Sequence, residues 1–372
     1  MQTEHEHTPS KNTRPRVTAR ITAWLTQHKK ATMIIAALAV MFAAALVAFV
    51  VFYQKPTEDP DVSRTEPSKE VPKKKFYSPL TGLQLPDEAA TKRPITAVII
   101  ENSPDARPQS GMQEAEVTYE AIAEAGITRF LNLYQQNKPG LVGPVRSLRP
   151  YFVEWLAPWE PSVAHVGGSK RALDEVRNGS YRDIDQFFNP DTYWRSSDRY
   201  APHNVYTNFE RLDALNASKN YATSNPKPFK HASTKKAAAP TATQIDVIMS
   251  SALYNSHWSY HAESNTYHRQ QGGEPHVDRE AGQISSNSVV VLKSHMDHIM
   301  EDGLRENYHT SGTGDGVVFQ DGTVTEVIWH KPAPSGQLFF TEKASGKEFS
   351  LTRGKVWITA VPANEGGNVS WQ

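Results

Sequence analysis

Between Ala31 and Tyr53 the chain carries no charged residue: ATMIIAALAVMFAAALVAFVVFY. Wound as a helix, this run spans about 35 Å, enough for a hydrocarbon core of about 30 Å. It has no polar face, which distinguishes it from a buried core helix. A cleaved signal peptide has an apolar stretch of about 7–15 residues close to the N-terminus. Here the run is longer and starts after a polar segment, so residues 31–53 read as an uncleaved signal anchor, a single transmembrane helix. Lys11, Arg14, Arg16, Arg20, Lys29 and Lys30 precede it, whereas only Lys55 follows closely. The excess of basic residues predicts a plasma-membrane protein with residues 1–30 in the cytoplasm and everything after Tyr53 extracytoplasmic. Residues 54–75 are dominated by proline and charge and read as a disordered stalk.

Beyond the stalk, apolar runs alternate with amphipathic ones. ITAVIIEN (Ile95–Asn102) ends at a Ser-Pro turn and reads as a buried strand. ITRFLNLYQ alternates and reads as another, while AEVTYEAIAEA fits strand or helix. RPYFVEWLAPW opens on Pro150, which suits a first helical turn. PSVAHVGGS is a strand running into a glycine turn. Ser169 is placed to cap the helix KRALDEVRN, which Gly179 ends, and Thr207 with Glu210 has capping-box spacing. Strand–helix alternation predicts an α/β domain over 76–221. Residues 222–243 are low in complexity and read as a linker or long loop. From 244 to 363 the pattern turns to strands, with Asp321-Gly322 as a two-residue hairpin and Ser264-Asn265 and Ser345-Gly346 as further turns. The fold class is therefore an α/β domain followed by a mostly antiparallel β domain, preceded by one transmembrane helix. Residues 364–372 read as a loose tail.

Composition narrows the function classes. The chain has 372 residues, long enough for two domains plus an anchor. Lys+Arg and Asp+Glu are both 40, a balance that argues against a nucleic-acid partner. Cysteine is absent, which removes disulfides, thiolate metal sites, cysteine nucleophiles and thiol-linked lipid anchors.

The order of motifs carries a resemblance. PLTGL (Pro79–Leu83) precedes RPITAVIIEN, ARPQSG, EAGITRFL, GPVRSLRPYF, HVGGS, YWR and APHNVYTN. Then come Tyr267-His268-Arg269, PHVD (Pro275–Asp278), SGTGDGVVFQDG and GKVWITAVP. This succession, from Ser78 to Pro362, resembles the YerB-like family of bacterial envelope lipoproteins. The resemblance implies an extracytoplasmic α/β-plus-β protein and names no reaction. The departure is the anchor: those relatives attach through a lipidated cysteine, and this chain has a transmembrane helix instead.

Candidate chemistry concentrates in the α/β part. Arg146 and Arg149 flank Ser147. His165 ends a strand just before Gly167, Gly168 and Ser169, and Asp183 and Asp185 follow. Arg195, His203 and Asn204 lie in WRSSDRYAPHN, and Arg107 in the ARPQSG loop. A strand–GGS–helix junction offers backbone N–H groups to an anion, and arginines grip carboxylate or phosphate bidentately. The ligand-binding candidates are Arg107, Arg146, Arg149, His165, Gly167, Gly168, Ser169, Asp185, Arg195, His203 and Asn204. The expected cleft has Arg146, Arg149, His165 and His203 at its centre. Against this stands a structural role, since such arginines also form buried ion pairs with aspartates.

Histidines are frequent after residue 250, but no HExxH occurs. His276-Val277-Asp278 and His295-Met296-Asp297-His298 match metal spacing only loosely, because residues three apart on a strand face opposite ways. No metal and no cofactor is expected. The predicted partners are the membrane through 31–53 and an anionic cell-wall polymer or envelope proteins. Three functions follow: an envelope binding module for an anionic polymer or partner, favoured here; an envelope hydrolase or transferase with a His/Asp acid–base site; or an assembly factor without a small ligand.

Overall fold

A computed structural model describes residues 27, 29–53, 74–298 and 306–372. Most of the basic N-terminal segment and residues 54–73 of the expected stalk lie outside the described residues. Helix α1, Lys29–Tyr53, belongs to one unit, and residues 74–372 form a second. Within α1, Met33–Tyr53 is apolar and long enough to cross a membrane.

In the second unit the mixed α/β part contributes strands β1 (Thr96–Glu101), β2 (Val117–Glu124), β3 (Ile127–Tyr134), β4 (Ser162–Ala164) and β5 (Arg182–Asp183). Its longer helices are α2 (Pro150–Leu156), α3 (Lys170–Val176) and α4 (Phe209–Ser218). The β-rich part begins with β6 (Gln244–Ile248), β7 (Ser256–His261), β8 (Thr266–Gln271) and β9 (Ser288–Ser294). The short pair β10 (Met296–Asp297) and β11 (Asn307–Tyr308) follows, then β12 (Gly312–Gln320), β13 (Thr323–Lys331), β14 (Phe339–Glu342) and β15 (Glu348–Phe349). The last two strands are β16 (Val356–Pro362) and β17 (Asn368–Trp371).

Eleven strands form one sheet in the order β15-β14-β13-β12-β9-β16-β2-β3-β1-β4-β5. The chain segments on either side of residues 222–243 are joined in it at β16, which runs parallel to both β9 and β2. Strands β12 to β15 are antiparallel, while β1, β4 and β5 are mutually parallel. A second sheet, β8-β7-β6-β17, is antiparallel.

Local signals account for the hairpins. Asp321 and Gly322 both take positive φ between β12 and β13, as a two-residue hairpin requires. Asn265 turns β7 into β8 the same way. Pro150 is the first residue of α2. Elsewhere tertiary context prevails. AEVTYEAIAEA becomes β2, buried on both faces, with Ala125 and Gly126 turning it into β3. Its period was obscured because Glu120 is fully buried. The cap of α4 is Asn208, whose side chain accepts from Arg211 N at 2.9 Å. Thr207, expected there, instead donates to Thr192 O. Ser169 stands at the N-cap of α3 but makes no side-chain cap bond. The expected loose tail forms β17 against β6, with Val369 buried. The 222–243 segment is fastened to the unit at several points. Ser224 and Phe229 are buried, Phe229 stands edge-on to Trp159 at 4.8 Å, and His231–Ala232 pair with Leu351–Thr352.

Where the two sheets meet, six side chains close a ring of hydrogen bonds. Arg269 on β8 reaches Glu120 on β2 at 2.8 and 2.9 Å and also binds His276. His276 contacts Gln109 at 3.1 Å, Gln109 donates to Asn102 at 3.0 Å, Asn102 to Thr128 at 2.6 Å, and Thr128 to Glu120 at 3.3 Å. All six are buried. Burial, with the charges of Arg269 and Arg107, pushes the His276 pKa well down, so neutral Nδ1 accepts from Arg269 and Nε2–H donates to Gln109. The rings of Phe130, Trp258 and Trp357 face the Arg269 guanidinium at 5.7, 5.7 and 4.8 Å.

Removing one charge of this pair leaves the other buried and unpaired. Glu120→Gln or Arg269→Met alone should cost about 3–5 kcal/mol in urea unfolding. The double variant Glu120→Leu with Arg269→Met should recover part of that loss; equal or greater loss in the double variant would contradict the pairing argument.

Candidate functional site

The parallel strands β1 and β4 end at Glu101 and Ala164 on the same edge of the sheet, where open α/β sheets bind ligands. The segment after β3 folds back over this edge: Val145 bridges Ile100, and Arg146 N donates to Ile99 O at 2.8 Å. That bridging sets Arg146 beside Glu101, with Nε 3.3 Å from Oε1. The segment then continues to Leu148, which bridges Gly168. The turns from both junctions therefore lie side by side.

Between them is an open cleft of about 530 Å³. Arg146, Gly167, Gly168, Arg177, Arg195 and the aromatic pair Phe187–Phe188 line it. Gly167 takes φ +60, and its turn is held from below by Asp185, which accepts from Gly167 N at 3.1 Å. Asp185 also accepts from Phe187 N at 3.1 Å and from Arg177 Nη2 at 2.6 Å. Arg177 binds Asp183 through Nε at 3.2 Å and lies over the Phe188 ring at 4.8 Å. Burial works against charge on Asp183, yet hydrogen bonds from His165 and Arg177 hold its carboxyl below the ordinary value. Arg195 donates to Asn204 Oδ1 at 2.9 Å and has no carboxylate partner among the described residues. Phe187 and Phe188 are 65% and 68% exposed, so the cleft floor is polar and one wall is bare aromatic surface.

Of the residues singled out in the sequence, Arg146, Gly167, Gly168 and Arg195 meet at this cleft. Asp185, His165 and Ser169 are buried beneath it. His165 faces acceptors with both nitrogens, Gly167 O at 2.8 Å and Asp183 Oδ1 at 3.0 Å, which occupies the ring. Its place is structural support of the glycine turn, not the cleft wall. His203 joins from behind: Nδ1 lies 3.1 Å from both Glu101 Oε2 and Ser103 Oγ. Asn204 is nearly buried and holds Arg195. Two candidates lie elsewhere. Arg149 is buried and paired with Glu124, which Arg129 also contacts at 2.8 Å. Arg107 binds Asn102 and Leu253 O and lines a separate cavity of about 350 Å³ beside Gln271 and His276. Arg149 was expected at the centre, but two buried arginines converge on the half-buried carboxylate of Glu124, and desolvation favours closing that pair over exposing it. Sequence reading missed Glu101, Ser103, Arg177, Phe187 and Phe188. The one local signal for them was the unbroken aromatic pair in a polar, proline-ended loop, QFFNP.

The architecture defines a class: a mixed α/β part and a mostly antiparallel β part sharing one sheet, after an N-terminal apolar helix. The chain belongs to the YerB-like family. Residues 80–222 match the family described as "Protein of unknown function (DUF3048) N-terminal domain" and residues 245–358 its C-terminal domain. A Bacillus subtilis (strain 168) protein described as "Putative lipoprotein YerB" is 31% identical over 303 residues, covering 80% of this chain and 89% of that protein. The crystal structure of YerB protein from Bacillus subtilis aligns with a TM-score of 0.71 at 28% identity, over 79% of this chain and 99% of that one.

Burial alone would raise the Glu124 pKa, but Arg129 and Arg149 overcome it and hold the carboxyl at about 2. A depressed folded-state pKa gives stability that is complete above the unfolded value of about 4.3 and is lost as pH falls toward 2. The stability gap between the parent and Glu124→Gln should thus be constant near neutrality and shrink steadily below about pH 4.3. Chemical denaturation across that range measures it; a gap independent of pH would show that the carboxylate charge is not what stabilises this corner.

Proposed function

We propose that the protein is a cell-envelope binding protein whose cleft takes an anionic, sugar-like polymer of the cell wall. The observation that carries this reading is the cleft itself. Three arginines stand around a glycine turn, Arg195 lacks a carboxylate partner among the described residues, and two exposed phenylalanines flank them. Guanidinium groups match phosphate or carboxylate bidentately, and an exposed ring offers an apolar face to a sugar or polyol. Arg146 and Arg177 already touch Glu101, Asp183 and Asp185, which fixes their orientation.

Poly(glycerol phosphate) should bind the full chain in detergent, and a neutral glucan of equal length should not. The binding should weaken with salt. Arg195→Gln should reduce affinity by about 1.5–3 kcal/mol, the scale of a charged hydrogen bond, and leave the melting temperature unchanged. Arg149→Gln should do the opposite, lowering stability without touching affinity. Equal binding by parent and Arg195→Gln would remove the cleft as the site.

A second reading rests on His203. Its Nδ1 is anchored by Glu101 and Ser103, and Nε2 has no hydrogen-bond partner among the described residues. An imidazole oriented this way can act as an acid–base, which fits an envelope hydrolase or transferase. Turnover of the bound polymer, abolished in His203→Asn with binding retained, would favour this over simple binding.

The localisation proposed is a plasma-membrane protein anchored by the uncleaved helix α1, with residues 74–372 outside the cytoplasm. The basic residues before α1 support this orientation. Protease added to protoplasts should digest an epitope at Gln372 and spare one at the N-terminus. The reverse pattern, or a mature chain starting after Tyr53, would overturn it.

A further inference from the structure

We propose that His295, Asp297 and His309 form a surface site for a divalent zinc-like metal ion, remote in sequence from the arginine cleft and independent of it. The three residues sit on the two-stranded ladder β10–β11 and its flanks. Met296 pairs with Tyr308 and Asp297 with Asn307, and His309 N donates to His295 O at 3.0 Å. This register puts His309 directly across from His295, with Asp297 two residues along from His295 on the same face. The opposite face carries Met296 and Tyr308, both buried.

The side chains converge. His295 Nε2 is 3.0 Å from Asp297 Oδ1, and His309 Nε2 is 2.6 Å from Asp297 Oδ2. The two imidazole rings lie 4.8 Å apart, centroid to centroid. One ligand atom from each residue falls within 4.8 Å of the other two. Small side-chain rotations would bring all three onto an ion at about 2.0–2.2 Å, with the fourth tetrahedral position open to water. Each ring would bind as the neutral imidazole through Nε2, its proton held on Nδ1.

The scaffold beneath is tied to the core. Asn364 clamps Met296 from both sides, donating to its O at 2.9 Å and accepting from its N at 2.9 Å. The Tyr308 hydroxyl accepts from Ile122 N, and its ring packs against Tyr151 at 5.3 Å. Ser294 donates to His309 O at 2.7 Å. Ligands carried on a ladder pinned to the core lose little freedom on binding, which a site needs if it is to hold an ion without closing around it. The donor set selects the ion: two imidazoles and one carboxylate suit zinc, cobalt or nickel, whereas calcium and magnesium take oxygen ligands. His298, three residues from His295, is directed away to Glu306, with Nδ1 2.6 Å from Oε2.

The test is a zinc titration of the full chain in detergent by calorimetry, with cobalt as a spectroscopic probe. One equivalent of zinc should bind with micromolar affinity, and cobalt should give the visible absorption of a four-coordinate site. The sequence also carries His5 and His7 near its start, so the comparison is with His295→Ala/His309→Ala, which retains both. That variant should lose the equivalent and the cobalt band while melting at the parent's temperature without metal. Asp297→Asn should weaken zinc at least about tenfold. Magnesium in large excess should not compete. Zinc binding unchanged in the double variant, or no saturable binding in the parent, would overturn the proposal.

Discussion

The buried pair of Glu120 and Arg269 is the constraint on which the rest of this molecule depends. Two charges taken out of water are tolerated where hydrogen bonds satisfy most of their remaining polar atoms, and in this ring Arg269 Nε alone goes without such a bond among the described residues. Here those partners come from several parts of the chain: Thr128 from β3, Asn102 from just after β1, Gln109 from the following loop, His276 from beyond β8. Trp357 from β16 adds its Nε1–H to Glu120 at 3.1 Å. The α/β part and the β part therefore cannot separate without exposing an orphaned charge. The pair clamps the second sheet onto the first, in which the two sequence regions are already joined at β16.

The ring also positions the cleft. Asn102 belongs to it, and its neighbour Glu101 is the residue that holds Arg146 and stands next to His203. Successive strand residues point to opposite faces, so one end of β1 serves the interior and the cleft at once. A second layer of carboxylates, Asp183 and Asp185, fixes the glycine turn and Arg177. Arginines crowded at one edge would repel each other; these acids hold them apart and aim them. Arg195, bound only to a neutral amide oxygen, keeps the charge that the others have neutralised.

Membership of the YerB-like family sets this chain beside a relative described as a putative lipoprotein, and the two differ near the N-terminus. The relative carries the description of a lipoprotein, while this chain has no cysteine and instead has a long apolar helix before its folded unit. An apolar helix and a lipid chain both carry hydrocarbon surface that is more stable out of water. The folded unit then needs no disulfides, because a region of this size buries a large core.

The sequence by itself determined what short-range physics decides. The charge-free run from Ala31 to Tyr53 forms an apolar helix long enough to cross a membrane. Asp321-Gly322 and Asn265 specify hairpins through positive φ, and Pro150 opens a helix because its missing N–H is not needed there. The glycine turn after His165 and the arginines Arg146 and Arg195 were legible as a cleft for the same reason, since strand ends followed by glycine mark sheet edges. What only the tertiary structure decided is the choice of partners. Arg149 and Arg146 are three residues apart in one motif, yet one is buried on Glu124 and the other faces the cleft. Val117–Glu124 looked half helical because its buried glutamate has its counter-charge on β8, far along the chain. Within 364–372, Asn368–Trp371 became a strand because β6 offered an unpaired edge, and His309 met His295 only through the pairing of β10 with β11. Periodicity reports which face of a segment is apolar. It carries no information about which distant segment will neutralise a charge or complete a ladder, because those energies exist only once the chain has brought the two together.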